Sequence, residues 1–205
     1  METQQEKTSY CIGLETGKNL IAQFADMDLS LLIQGFTDGI HLYPPKITSE
    51  EIKSILGSLQ KHVQDQQRQF LIKVAEENKK QSESFLTHNK QKENIVACPS
   101  GLQYEVLSTG SGPKPQLLDT VTVHYQGSFL DGKIFDSSYT RGKPQSLAIN
   151  RTIPGWAEAL QMMPVGSKWR LFVPPYLAYG EMGRPGQIPP NAILVFEVEL
   201  IGINN

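Results

Sequence analysis

"TVTVHYQGSFLDGKIFDSS", residues 120–138, decides the reading of the second half of the chain. Threonine and valine alternate up to His124 and Tyr125, a period of two that puts successive side chains on opposite faces of a strand. Asp131–Gly132 has the chemistry of a tight hairpin turn, so the strand through Tyr125 is expected to pair with the one through Phe135. The same period, rich in Val, Ile, Phe and Tyr, marks "LQYEVL", "SLAIN", "SKWRLFVP" and "ILVFEVELIGI" as further strands. Between them only "PGWAEALQMM" reads as a helix, about two turns long. An antiparallel sheet with one short helix across it is an α+β domain, expected over residues 98–205.

Residues 1–97 read differently. "SYCIGLETGKNLIAQFADMDL" sets Tyr10, Leu14, Ile21 and Phe24 near one helical face, with Gly13 and Gly17 four apart, a spacing that lets two helices approach. "DLSLLIQGFTDGIHL" gives a second helix with Leu29, Leu32, Ile33, Phe36 and Ile40, stopped by Pro44 and Pro45. Thr48 and Glu51 form a capping box that opens a third helix, expected over about 49–88 and roughly 60 Å long at 1.5 Å per residue. Ile52, Leu56, Leu59, Val63, Phe70 and Val74 follow a seven-residue beat along it, whereas "AEENKKQSES" carries no apolar stripe. A segment polar all round reads as a solvent-bridging rod. Three helices of this size build little core alone. The expectation is an all-α module that dimerises through residues 1–70 across a two-fold axis, against the alternative of a monomeric three-helix bundle.

The chain has 205 residues, 39% hydrophobic and 20% charged, as in a soluble globular protein. Residues 1–97 hold 11 Lys and Arg against 13 Asp and Glu, and residues 98–205 hold 8 against 8, so no basic cluster speaks for nucleic acid. Cys11 and Cys98 stand far apart, with no CxxC and no histidine at ligand spacing, which gives a metal site no support. No apolar run approaches the roughly 20 residues of a membrane span. The opening METQQEKTSYC lacks a signal-peptide layout and points to the cytoplasm, with periplasm or outer membrane as the alternative if Met1 replaces a removed signal.

"VHYQGSFLDGKIFDSSYTRGKP", "IPGWAEALQMMPVGSKWRLFVPP", "LAYG" and "IPPNAILVFEVELI" resemble the FKBP-type peptidyl-prolyl cis-trans isomerases in order, spacing and residue type. "SYCIGLETGKNL" and the long helix leading through "ESFLTHNK" into "PSGLQYEVL" resemble the bacterial macrophage infectivity potentiator subfamily, in which a helical module makes a homodimer. The resemblance implies a pocket made by Tyr125, Phe135, Asp136, Arg141, Ile153, Trp156, Tyr179 and Phe196, edged by Leu147, Thr152 and Ile188. Trp156 is then the floor under the prolyl ring rather than only a core residue. It also implies no cofactor, substrates that are proline-containing unfolded or partly folded chains, and binding of tacrolimus- and rapamycin-type inhibitors. Gln145, Arg184 and Gln187 depart from residues common at the rim in eukaryotic members, Phe, His and Ile.

The residue chemistry agrees. The candidate site holds no Ser/His/Asp arrangement and no acidic couple, so the reaction must need neither nucleophile nor proton shuttle. Rotation about an X-Pro bond is such a reaction. His124 falls on the opposite strand face and takes no catalytic role, and Met162 and Met163 are expected to pack the short helix onto the sheet. The rival reading is a proline-pocket binding or chaperone module with little turnover. A helical adaptor carrying an inert domain fits least, because the pocket residues are nearly complete.

Overall fold

The computed structural model describes residues 1–24 and 27–204, and the chain divides into two compact units, Met1–Lys61 and His62–Asn205. In the first unit α1 spans Gln4–Gln23. Its start is fixed by a capping box the sequence reading did not use: Glu6 N donates to Thr3 Oγ1 at 3.2 Å, and Thr3 N donates to Glu6 Oε2 at 3.2 Å. Ala25 and Asp26, within the stretch read as helical, lie outside the described residues. Asp28 caps α2, Leu29–Ile40, by accepting from Ser30 N and Leu31 N. α3 runs from Ser49 to Asn89, opening on the expected Thr48/Glu51 box.

The apolar residues of this unit are not enclosed by its own chain. Ile33, Phe36 and Ile40 are each more than half exposed, and no residue of α2 is buried. A Cβ added at Gly13 or Gly17 would meet nothing within 4 Å, so among the described residues no helix uses the close approach these glycines permit.

In the second unit seven antiparallel strands form one sheet. They are β1 Ile95–Ala97, β2 Gln103–Ser108, β3 Thr120–Ser128, β4 Ile134–Ser137, β5 Gln145–Ala148, β6 Lys168–Val173 and β7 Leu194–Asn204. The order is β1-β2-β6-β7-β3-β4, with β5 also paired to β3. Only the three-residue β1 has no counterpart in the sequence reading. Alternation sorts the faces. Val121 and Val123 of β3, Leu171 of β6, and Val198 and Leu200 of β7 are fully buried on one side. Against them packs α4, Pro154–Met162, through Trp156, Ala159 and Leu160, followed by the buried Met163. The helix lies so close that a Cβ at Gly155 would stand 2.5 Å from Val173 Cγ1. On the outward face Arg170 bridges Glu105 at 3.0 Å and Glu197 at 2.7 Å, a ladder of charges across neighbouring strands.

The polar part of α3 is no free rod. Phe85 packs on Phe172 with ring centroids 5.5 Å apart, on the sheet face opposite α4. Gln103 Nε2 donates to Leu86 O at 2.8 Å and its Oε1 accepts from the buried Asn89 at 3.0 Å. Nearer the middle of α3, Asn78 Nδ2 donates to Pro190 O at 2.8 Å, the buried Ser82 Oγ donates to Asn191 O at 3.0 Å, and Asn191 Nδ2 donates to Ala75 O at 3.2 Å. A helix face whose partners are mostly backbone carbonyls needs polar side chains. Apolar periodicity therefore could not reveal it.

Candidate active site

Register builds the site. Residues Tyr104, Leu171, Phe196, Gly127 and Asp136 are successive cross-strand partners in one row over β2, β6, β7, β3 and β4. Gly127 stands between Phe196 and Asp136 in this row, and its missing side chain is what admits the Phe135 and Phe196 rings. A Cβ there would lie 2.7 Å from Phe135 Cζ and 2.8 Å from Phe196 Cε1. The next inward residue of β3 is Tyr125, two along from Gly127.

Four rings meet at this place nearly at right angles. Tyr125 and Trp156 have centroids 5.0 Å apart at 88°, Trp156 and Phe196 5.3 Å at 85°, and Phe196 and Phe135 5.6 Å at 88°. Edge-to-face contacts of this kind add to area burial because the positive ring edge meets a negative face. Trp156 is 5% exposed, and its Nε1 is buried with no hydrogen-bond partner. Pro154 at the first position of α4 supplies the fixed φ that starts the helix and brings Trp156 over the sheet.

One wall is polar. Tyr125 OH donates to Asp136 Oδ2 at 2.6 Å, Arg141 Nη2 donates to Tyr125 OH at 2.8 Å, and Arg141 Nη1 pairs with Asp136 Oδ1. The Arg141 guanidinium also lies 5.5 Å over the Tyr125 ring. Burial by itself would raise the Asp136 carboxyl, but the hydrogen bonds from Tyr125 and Arg141 and the guanidinium charge outweigh it and hold the group below its usual value. Burial, reinforced by the hydrogen bond to Asp136, pushes the Tyr125 phenol up. The wall is thus a fixed, ionised carboxylate with both oxygens occupied.

At the start of α4 the Ile153 carbonyl accepts from Trp156 N and Ala157 N, while the Ile153 N–H donates to no protein acceptor among the described residues. Thr152 is tied down locally, its Oγ1 donating to Ile149 O at 2.8 Å. Leu147, on β5 opposite Val121, and Tyr179 pack half-buried against the core cluster that holds Trp156 and Phe196, and Ile188 is buried within it. Arg184 and Gln187 are exposed in the loop after Tyr179, which closes on itself by paired hydrogen bonds of 2.8 Å between Arg184 and Ile188. All the sequence-picked residues therefore lie in the second unit, and Tyr125, Phe135, Asp136, Arg141, Trp156 and Phe196 form one connected group.

Sequence reasoning missed three supports. An isolated glycine in a strand pattern signals a close approach, and Gly127 could have been found that way. Phe129, 5.0 Å from Phe135, looks like ordinary strand packing. Ser138 gave no signal, yet its buried hydroxyl accepts from Tyr125 N at 2.8 Å and donates to Tyr125 O at 3.1 Å, fixing the backbone under the phenol. His124 sits on the opposite face, stacked on Tyr139 at 4.6 Å.

An antiparallel sheet wrapped on a short helix, with an aromatic box beside an unengaged N–H at the helix start, is the arrangement that the resemblance to the FKBP-type isomerases implies. Residues 112–201 match the family model described as FKBP-type peptidyl-prolyl cis-trans isomerase, and residues 5–106 match the domain amino terminal to it. The chain is 43% identical over 203 residues to the outer membrane protein MIP of Legionella longbeachae, covering 99% of this chain and 87% of that one. It is 39% identical over 203 residues to the FKBP-type 22 kDa peptidyl-prolyl cis-trans isomerase of Escherichia coli K12, covering 98% and 97%. Against the crystal structure of FkpA from Escherichia coli the TM-score is 0.77 at 34% identity, covering all of this chain and 98% of that one. The chain belongs to the FKBP-type peptidyl-prolyl cis-trans isomerases, and it is an isomerase of that kind with an N-terminal helical domain. Among the described residues no helix is long and apolar enough to cross a membrane.

Proposed function

We propose that the aromatic box is where the chain isomerises X-Pro bonds of unfolded or partly folded polypeptides. The observation that carries this reading is the right-angled packing of Tyr125, Trp156, Phe196 and Phe135 beside an ionised Asp136. The barrier to rotation, about 18–20 kcal/mol, comes from amide resonance. A twisted amide has lost that resonance, its carbonyl is less polar, and a dry box receives it better than the planar form. Binding that is stronger at the twist than at either planar end is catalysis.

The prolyl ring rests on Trp156, between Tyr125, Phe135 and Phe196. The Ile153 N–H donates to one substrate carbonyl and the Tyr179 hydroxyl to a second. Asp136, held ionised by Arg141 and Tyr125, faces the twisting carbonyl carbon. Leu147, Thr152 and Ile188 border the ring. Isomerisation of a short X-Pro peptide tests these roles: Tyr179→Phe, Asp136→Leu and Trp156→Ala should each lower kcat/KM, and unchanged rates in all three would refute them. Rapamycin should inhibit through the same box, with an affinity set by the altered rim at Gln145, Arg184 and Gln187.

The exposed apolar faces of α1 and α2, and the unused close approach at Gly13 and Gly17, support a homodimer through residues 1–70. The dimer would offer two boxes to one unfolded chain, raising the effective concentration of the second contact and giving the protein a chaperone-like hold. Sedimentation at micromolar concentration should give twice the monomer mass. A monomer mass would remove the dimer and leave the isomerase.

A further inference from the structure

Beside the box the second unit carries a recess that isomerisation of a short peptide does not use. Phe70, Leu71 and Val74 of α3 line a groove of about 520 Å³ with Met182, Pro185 and Ile188 of the loop that follows Tyr179. Phe70 is 66%, Leu71 51% and Met182 83% exposed, so three large apolar side chains share one opening. Single exposed apolar residues are common, whereas a contiguous group marks a contact surface. Among the described residues no ionisable side chain lines the groove.

The groove is held open rather than left over. Asn78 and Ser82 grip the carbonyls of Pro190 and Asn191, and the Asn191 side chain grips Ala75 O, so helix and loop are fastened at its base. Asn191 N donates to Gly180 O at 3.0 Å, which closes the neck of the same loop. Walls fixed by hydrogen bonds cannot collapse onto each other to hide apolar surface. That surface stays available to a ligand.

Ile188 decides which ligand. It belongs to the buried cluster that contains Trp156 and Phe196, and it also forms part of the groove wall. The groove wall and the cluster that holds the box thus have Ile188 in common, and an extended chain advancing about 3.3 Å per residue covers about 13 Å in four residues, the reach needed to engage both. We propose that the groove is a subsite for an apolar side chain of the substrate polypeptide, a few residues along the chain from the proline bound in the box. This rests on the box being the proline site. The isomerase thereby prefers prolines that neighbour exposed leucine, methionine or phenylalanine, the segments an unfolded chain shows and a folded one hides.

The test uses the full chain and peptides carrying leucine about four residues before or after the proline, each beside a twin with serine there. Partial burial of one leucine should raise kcat/KM about tenfold over the serine twin in one of the two directions. In Leu71→Asp, and independently in Met182→Ser, both at exposed positions, the ratio should fall to near one. A ratio near one in the unaltered chain, or a ratio that both variants preserve, overturns the subsite. So does loss of the ratio together with a change of sedimenting mass, because the groove would then serve a second copy. If the unaltered chain accelerates neither peptide of a pair, the reading of the box has failed and takes the subsite with it.

Discussion

Gly127→Ala puts the site under the most direct strain. The added methyl would lie 2.7 Å and 2.8 Å from two carbons of the Phe135 ring and 2.8 Å from Phe196 Cε1. Optimal carbon contacts are about 3.5–4.0 Å, so each ring must withdraw by about 1 Å. Phe196 is 5% exposed and packed edge-on against Trp156, and Phe135 meets Phe196 in the same way, so the move opens the box. Overpacking of this size costs about 1–3 kcal/mol of stability. A misplacement of about 1 Å at a binding wall can lower kcat/KM up to a hundredfold. Urea unfolding and X-Pro peptide isomerisation measure the two effects. Gly202→Ala is the control, since it lies on β7 with nothing within 4 Å of the new atom, and it should stay within about 0.5 kcal/mol. Full activity and unchanged stability in Gly127→Ala would refute the claim that this glycine sets the box.

Three other outcomes are expected. Asp136 has a folded-state pKa below its usual 3.8, so its ionised form contributes stability above that value and loses the contribution as pH falls through the lower folded pKa. Carboxyl NMR should show Arg141→Met moving the Asp136 titration upward, and an unmoved titration would refute the pairing. Ser138→Ala removes the hydroxyl that Tyr125 N donates to and should cost about 1–3 kcal/mol in urea unfolding, with a lower isomerisation rate as Tyr125 loosens. Gln103→Leu strands the buried Asn89 amide, so a similar loss of stability is expected, and an unaltered midpoint would show that α3 does not depend on this contact.

The sequence by itself determined the elements. Period-two alternation from Thr120 to Tyr125, the seven-residue beat of α3 and the Thr48/Glu51 box are local patterns, and local sterics and hydrogen bonding read them directly. The expected strands from "LQYEVL" onward correspond to β2 through β7, and α4 falls where "PGWAEALQMM" placed it. The resemblance carried the candidate site residues, because motif order survives where contact geometry is unwritten. Tertiary structure alone decided the rest. The row that sets Gly127 between Phe196 and Asp136 depends on the register of the β3–β4 hairpin against β7, far along the chain, and no period along one strand encodes it. The same holds for α3: "AEENKKQSES" looked solvated because its partners are backbone carbonyls about 110 residues away. Polar side chains that satisfy buried backbone look in sequence just like those that satisfy water, and only the fold tells them apart.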